Sequence, residues 1–175
     1  MTAEGFRRGV RLGVDVGSVR VGLAACDPGG TIASPVETLR RDARGGSDVE
    51  RIAAEARERD VIEVVVGHPT SLSGRQGAAA QAARDYAVAL ARRLAPVPVR
   101  LVDERLSTVS AHRALHDAGV RGRRHRAVVD QVAAVTVLQV ALDAERASGR
   151  PPGSLVEPGT EPDDPAGTPK GNAPG

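Results

Sequence analysis

Apolar residues recur at two different spacings along the chain, and the change divides it. In the first forty positions they alternate or form short runs. Val10–Val16 and Val19–Cys26 read as two strands joined by a hairpin turn at Gly17-Ser18. Asp27–Gly30 (DPGG) is a second turn, and Thr31–Leu39 is a third strand, in which Pro35 demands an edge or a bulge. From residue 47 the spacing becomes helical. Ser47 is the expected N-cap of SDVERIAAEARERD, with Glu50 at capping-box distance and Ile52, Ala53 and Ala56 on one face. Val61–Gly67 is a continuous apolar run, the signature of a parallel strand covered on both sides. An alanine-rich helix from Gln76 to Leu94, a strand from Val97 to Glu104, a helix from Ser107 to Gly119 and a long helix from Arg123 to Gly149 complete the pattern.

The order β-β-β-α-β-α-β-α-α predicts an α/β domain. Its mixed five-stranded sheet, an antiparallel meander plus parallel strands, would be flanked by helices. The domain is expected to span residues 10–148, after an N-terminal extension of residues 1–9. Residues 149–175 form an acidic tail too rich in proline and glycine to bury a core, and disorder is expected there.

Composition narrows the function classes. Phe6 and Tyr86 are the only aromatic residues, so the core is aliphatic and base stacking on aromatic platforms is a poor fit. Cys26 is the only cysteine, which excludes an intrachain disulfide and a cysteine zinc cage. With no signal-like segment and no apolar run long enough to span a bilayer, a cytoplasmic protein without membrane association is expected. Residues 1–150 carry 23 arginines against 18 acids, while the tail sets four acids against Lys170, the only lysine. Arginine suits phosphate, but a GC-rich genome would account for its excess over lysine equally well. Position is therefore more telling than number.

Acidic residues interrupt three apolar elements. Asp15 lies within the first strand, Asp103 and Glu104 end the strand LVDE, and Asp130 lies in the last helix on one face with Ala133, Ala134 and Val137. Each has an ordinary explanation by itself: a turn contact to the Ser18 amide for Asp15, a strand end beside Arg105 for Glu104, a helix-dipole contact for Asp130. Taken together they call for a shared one. A pair of Mg²⁺ or Mn²⁺ ions supplies it, because hard cations take oxygen ligands and two of them assist phosphodiester cleavage.

Four ordered stretches, GVDVGSVRVGLA (Gly13–Ala24), VVVGHPTSLSGRQG (Val64–Gly77), VDERLST (Val102–Thr108) and VDQVAAVTVLQ (Val129–Gln139), resemble the YqgF family over roughly residues 10 to 147. Its members are provisionally described as pre-16S rRNA nucleases or Holliday-junction-resolvase-like proteins. The resemblance implies a ribonuclease H-like fold and a metal-dependent endonuclease. It implies Asp15, Glu104 and Asp130 as the catalytic, metal-binding acids. Neighbouring strand residues face opposite ways, so Asp103 is the weaker candidate. His68 departs from the pattern, standing where the family has an apolar residue before the proline.

The segment 105–126 lies between two of these acids and holds Arg105, Arg113, Arg121, Arg123, Arg124 and Arg126 against one acid, Asp117. With Arg20 in the first hairpin, these are the candidates for phosphate contacts, which give salt-sensitive affinity and carry little sequence information. The expected function is processing of the 5′ end of pre-16S rRNA in ribosome biogenesis, with the pre-ribosomal particle as a partner. A DNA junction resolvase is the alternative. No dimer stripe is visible, so monomer and homodimer both stay open, and RNA is favoured over DNA. An actin-like phosphotransferase shares the GVDVGSVRVG pattern but needs a second lobe that this length does not supply. A binding module without catalysis would not need all three acids.

Overall fold

The computed structural model describes residues 5–69, 77–104 and 123–159, without the side chains of 123–129. Its strands are β1 (Arg11–Val16), β2 (Arg20–Cys26), β3 (Ala33–Arg40), β4 (Glu63–His68), β5 (Val99–Asp103) and β6 (Ser154–Leu155). They form one sheet in the order β3-β2-β1-β4-β5-β6. The first three strands pair antiparallel, and β4 pairs in parallel with both β1 and β5. The helices are α1 (Ser47–Glu58), α2 (Ala78–Leu94) and α3 (Arg123–Ser148). The helix expected over Ser107–Gly119 lies outside the described residues.

The sheet has six strands rather than the five expected. Ser154 and Leu155, from the segment expected to be disordered, pair antiparallel with Leu101 and Arg100. A bare β5 edge would leave a row of unpaired backbone groups, and two residues after a left-handed Gly153 (φ 65°) suffice to cover part of it. Two local details also differ from expectation. Gly17 N–H donates to the Arg20 carbonyl at 2.8 Å and Val16 faces Val21, so the hairpin tip is Ser18-Val19, one residue later. At the start of α1, Ser47 makes no side-chain cap. Asp42 does this work from the preceding loop, accepting the Gly45 and Ser47 amides at 2.8 and 3.1 Å. Glu50 is instead ion-paired with Arg93 of α2. Pro35 sits on the edge strand β3, opposite the bulge at Leu23/Ala24.

Strand alternation assigns side chains to two cores. Leu12, Val14, Val64, Val66 and Val99 pack on one face with Ile52 of α1 and Leu90 of α2. Ala24, Val65 and Val102 pack on the other with Ala134, Val137, Leu138 and Leu142 of α3. This explains the continuous apolar run of β4, which is covered on both sides. It also puts Gly13 and Asp15 of β1 on the α3 face. That face is spare. A Cβ on Gly13 would lie 2.6 Å from Leu138 Cβ and 2.8 Å from the Ala134 carbonyl, and one on Gly22 would collide with the Asp130 carbonyl. Glycine here lets the helix backbone rest directly on the sheet.

The C-terminal end of α3 is pinned by a buried ionic network. Glu145 accepts Arg11 Nη2 at 3.1 Å and Arg7 Nε at 2.8 Å, and Arg7 and Arg100 both reach Glu63 at 3.0 Å. The start of the helix is thereby directed to the opposite end of β1, where Asp15 lies.

Candidate active site

Asp15 and Glu104 meet on the α3 face of the sheet. Asp15 is the fifth residue of β1, opposite Gly22 of β2. Glu104 follows β5, two residues after Val102, whose side chain packs against α3. The same alternation turns Asp103 to the other face, where it is exposed. Gly67 of β4, between the two strands, makes room for the Glu104 side chain. A Cβ there would collide with Glu104 Oε1 and lie 2.9 Å from Val137 Cγ2.

The two carboxyls are joined by a hydrogen bond, which requires that one of them keep a proton. Glu104 is held towards its protonated form. Burial is the main cause, followed by the charge of Asp15, the hydrogen bond to it and the charge of Asp103. Together they push Glu104 up to about 8. The chain thus holds two acids against one another where burial and like charge oppose ionising both. A divalent cation is the complement such a donor pair calls for, so the pair fits the expected metal.

Asp130 is on the same face, in the first half of α3, with its carbonyl against Gly22. Its carboxylate is occupied by Arg20, whose Nε donates to Oδ2 at 3.0 Å with both side chains about a quarter exposed. Among the described residues, no three His, Cys, Asp or Glu side chains stand close enough to hold a metal ion as they are. Asp15 and Glu104 are paired with one another. Asp130 is placed one strand away and held by an arginine. The sequence marks Arg20 as a candidate phosphate contact, and the fold gives it to Asp130. The pair joins residues 110 apart in the chain, and no local signal reveals it.

Of the helix face expected around Asp130, Ala134 and Val137 are buried against the sheet and Ala133 is only partly covered. Arg105, Arg113 and Arg121 lie outside the described residues. Arg123, Arg124 and Arg126 belong to the first turn of α3, with side chains likewise outside them. His68 ends β4 and lies beside Arg84 of α2, which no motif in the sequence marks. No helix among the described residues is long and apolar enough to cross a membrane.

Comparison with known proteins adds three findings. The family model described as RuvX, Holliday junction resolvase, matches residues 9–144. A Kineococcus radiotolerans protein provisionally named as a pre-16S rRNA nuclease is 63% identical over 151 residues, 86% of this chain and 80% of that protein. A Nocardioides protein of the same provisional name is 57% identical over 157 residues, 87% of this chain and 99% of the relative. Among solved structures, Thermus thermophilus RuvC in complex with a Holliday junction substrate aligns with a TM-score of 0.51 at 19% identity, covering 82% of this chain and 99% of that one. The last likeness concerns fold, and the fold is the ribonuclease H-like one.

Proposed function

The chain belongs to the RuvX family, also called YqgF, and from that premise we propose that it is a metal-dependent nuclease that processes the 5′ end of pre-16S rRNA in the cytoplasm, on the pre-ribosomal particle. The observation that carries this reading is the half-buried, hydrogen-bonded Asp15–Glu104 pair on the α3 face of the sheet. The names of the close relatives favour RNA as the substrate.

Asp15 and Glu104 would hold Mg²⁺ or Mn²⁺, with Asp130 joining once it leaves Arg20. When bound, the cation would supply Lewis-acid polarisation of the phosphodiester and a water acidified for attack. The remaining work falls to the chain itself. Gly67 gives Glu104 the space to face Asp15, and β1 holds Asp15 rigidly on the sheet. Glu104 must give up its proton before it can act as a ligand. Arg20, freed from Asp130, becomes available to a substrate phosphate beside the acids. Asp103 faces away and takes no part in metal binding. The arginines of 105–126 would follow the substrate backbone and contribute affinity rather than sequence preference.

The test is cleavage of end-labelled pre-16S rRNA 5′ fragments beside a four-way DNA junction, each in Mg²⁺, Mn²⁺ and EDTA. Wild type should cut the RNA only with metal, and Asp15→Asn and Glu104→Gln should cut nothing. Cutting of the junction alone would transfer the chemistry to the resolvase reading, which the family description favours. Binding of both substrates without any cleavage would rule out the catalytic reading.

A further inference from the structure

We propose that Arg84, oriented by His68, is a contact for a backbone phosphate of the nucleic-acid substrate, at the strand end that carries Glu104 but on the opposite face of the sheet. The inference rests on the nuclease reading and adds a residue to its substrate track.

His68 follows Gly67, the residue Glu104 covers. Alternation therefore turns its side chain away from α3 and towards α2. Arg84 Nη1 lies 2.9 Å from His68 Nε2, and Arg84 Nη2 donates to Gln81 Oε1 at 2.6 Å. A guanidinium can only donate, so Nε2 must accept with its lone pair and the imidazole is the neutral Nδ1–H tautomer. Burial and the neighbouring guanidinium favour that neutral form, against the smaller opposite pull of Asp103.

Both partners of Arg84 are thus neutral. Seven other arginines among the described residues reach a carboxylate within 4.0 Å, and Arg84 reaches none there. Gln81 satisfies Asp85, the acid next to it in the chain, through a 2.8 Å bond. The result is a part-buried guanidinium with a fixed direction and, among the described residues, no carboxylate within 4.0 Å. Fixing a long side chain beforehand reduces the ordering cost of binding, and the planar fork of arginine matches phosphate. The location also fits. In open α/β sheets, ligands bind beyond the carboxyl ends of the parallel strands, and His68 ends β4 beside Asp103 of β5. Arg84 lies past that edge, on the face opposite the acids.

The experiment is fluorescence anisotropy of a labelled pre-16S rRNA 5′ fragment against salt concentration, in EDTA and in Ca²⁺, with thermal melts of every variant. Arg84→Gln should flatten the slope of log affinity against log salt by about 0.7 for a single strand or 0.9 for a duplex, with an unchanged melting temperature. Arg84→Lys should restore the slope. His68→Leu should keep the slope while weakening affinity, because the charge remains and its orientation is lost. An Arg84→Gln variant with the wild-type slope overturns the inference alone, whether or not its melting temperature falls. Wild type binding neither this RNA nor a DNA junction in either buffer would overturn the nuclease reading and this inference with it.

Discussion

Glu104 is the residue at which fold and proposed chemistry are in conflict. Two carboxyls placed face to face under a helix repel each other once both are ionised, and burial removes the water that would screen them. The conflict is visible in Glu104, pushed up to about 8. A site built for stability would carry an amide there. Glu104→Gln should therefore melt above wild type at pH 8 in EDTA and yet cleave nothing, and parallel melts and cleavage assays check both halves. A variant that melted lower would show that the pair is not under repulsion. Asp130 is in a different position, since Arg20 already neutralises it at the partly exposed rim.

At the level of elements, the docking of α3 decides whether the acids share a face. The helix touches β1 and β2 through glycine. Gly22→Ala would drive a methyl into the Asp130 carbonyl, backbone against side chain with little room to yield. We expect a loss of about 1–3 kcal/mol, the usual cost of overpacking, in urea denaturation. Cleavage should fall as well, because the displaced turn carries Asp130. Helix α1 offers a pH-dependent case. The Gly45 amide, followed by Ser47, holds Asp42 below its ordinary value of 3.8. The folded state thus binds its proton less readily than the unfolded chain. The contribution of Asp42 is complete above the ordinary value and is lost as pH falls through the lowered one. Asp42→Ala should melt below wild type at pH 7, and the difference should close below pH 3.8.

For the whole molecule, stability and the proposed chemistry occupy opposite ends of the sheet. The network of Glu145, Arg11, Arg7, Glu63 and Arg100 ties α3 to β1, β4 and β5 far from Asp15. Glu145→Ala would strand Arg11, whose side chain is 1% exposed. It should cost about 3 kcal/mol, the low end for breaking a buried pair, since Arg7 can turn to solvent. Among the described residues after Gly149, Ser154 and Leu155 pair with Leu101 and Arg100 of β5. Val156 packs partly against the α1/α2 core and donates to the Val99 carbonyl at 2.8 Å. A chain ending at Gly149 should therefore lose about 1–2 kcal/mol, from the buried Pro152, one half-buried valine and a few backbone bonds, and keep its cleavage activity. Thermal melts and the cleavage assay on the shortened chain test this.

Features that depend on near neighbours in the chain were legible from the residues themselves. The meander, the two-sided β4 run, the edge position of Pro35 and the mixed α/β order follow from spacing, because period two and period 3.6 present different faces to a core. Alternation also separates Glu104 from Asp103. Features that depend on distant residues were not legible. Ser47 has the residue type of a cap, yet Asp42 reaches its amide and Arg93 takes Glu50. Arg20 looks like any exposed arginine until Asp130, 110 residues later, is brought against it. The tail reads as disordered because proline and glycine cannot build a core, but Ser154 and Leu155 need only an unpaired strand edge, which β5 provides. Side-chain chemistry is local and was written in the chain. Which charges face each other is settled only when the sheet and α3 close over them.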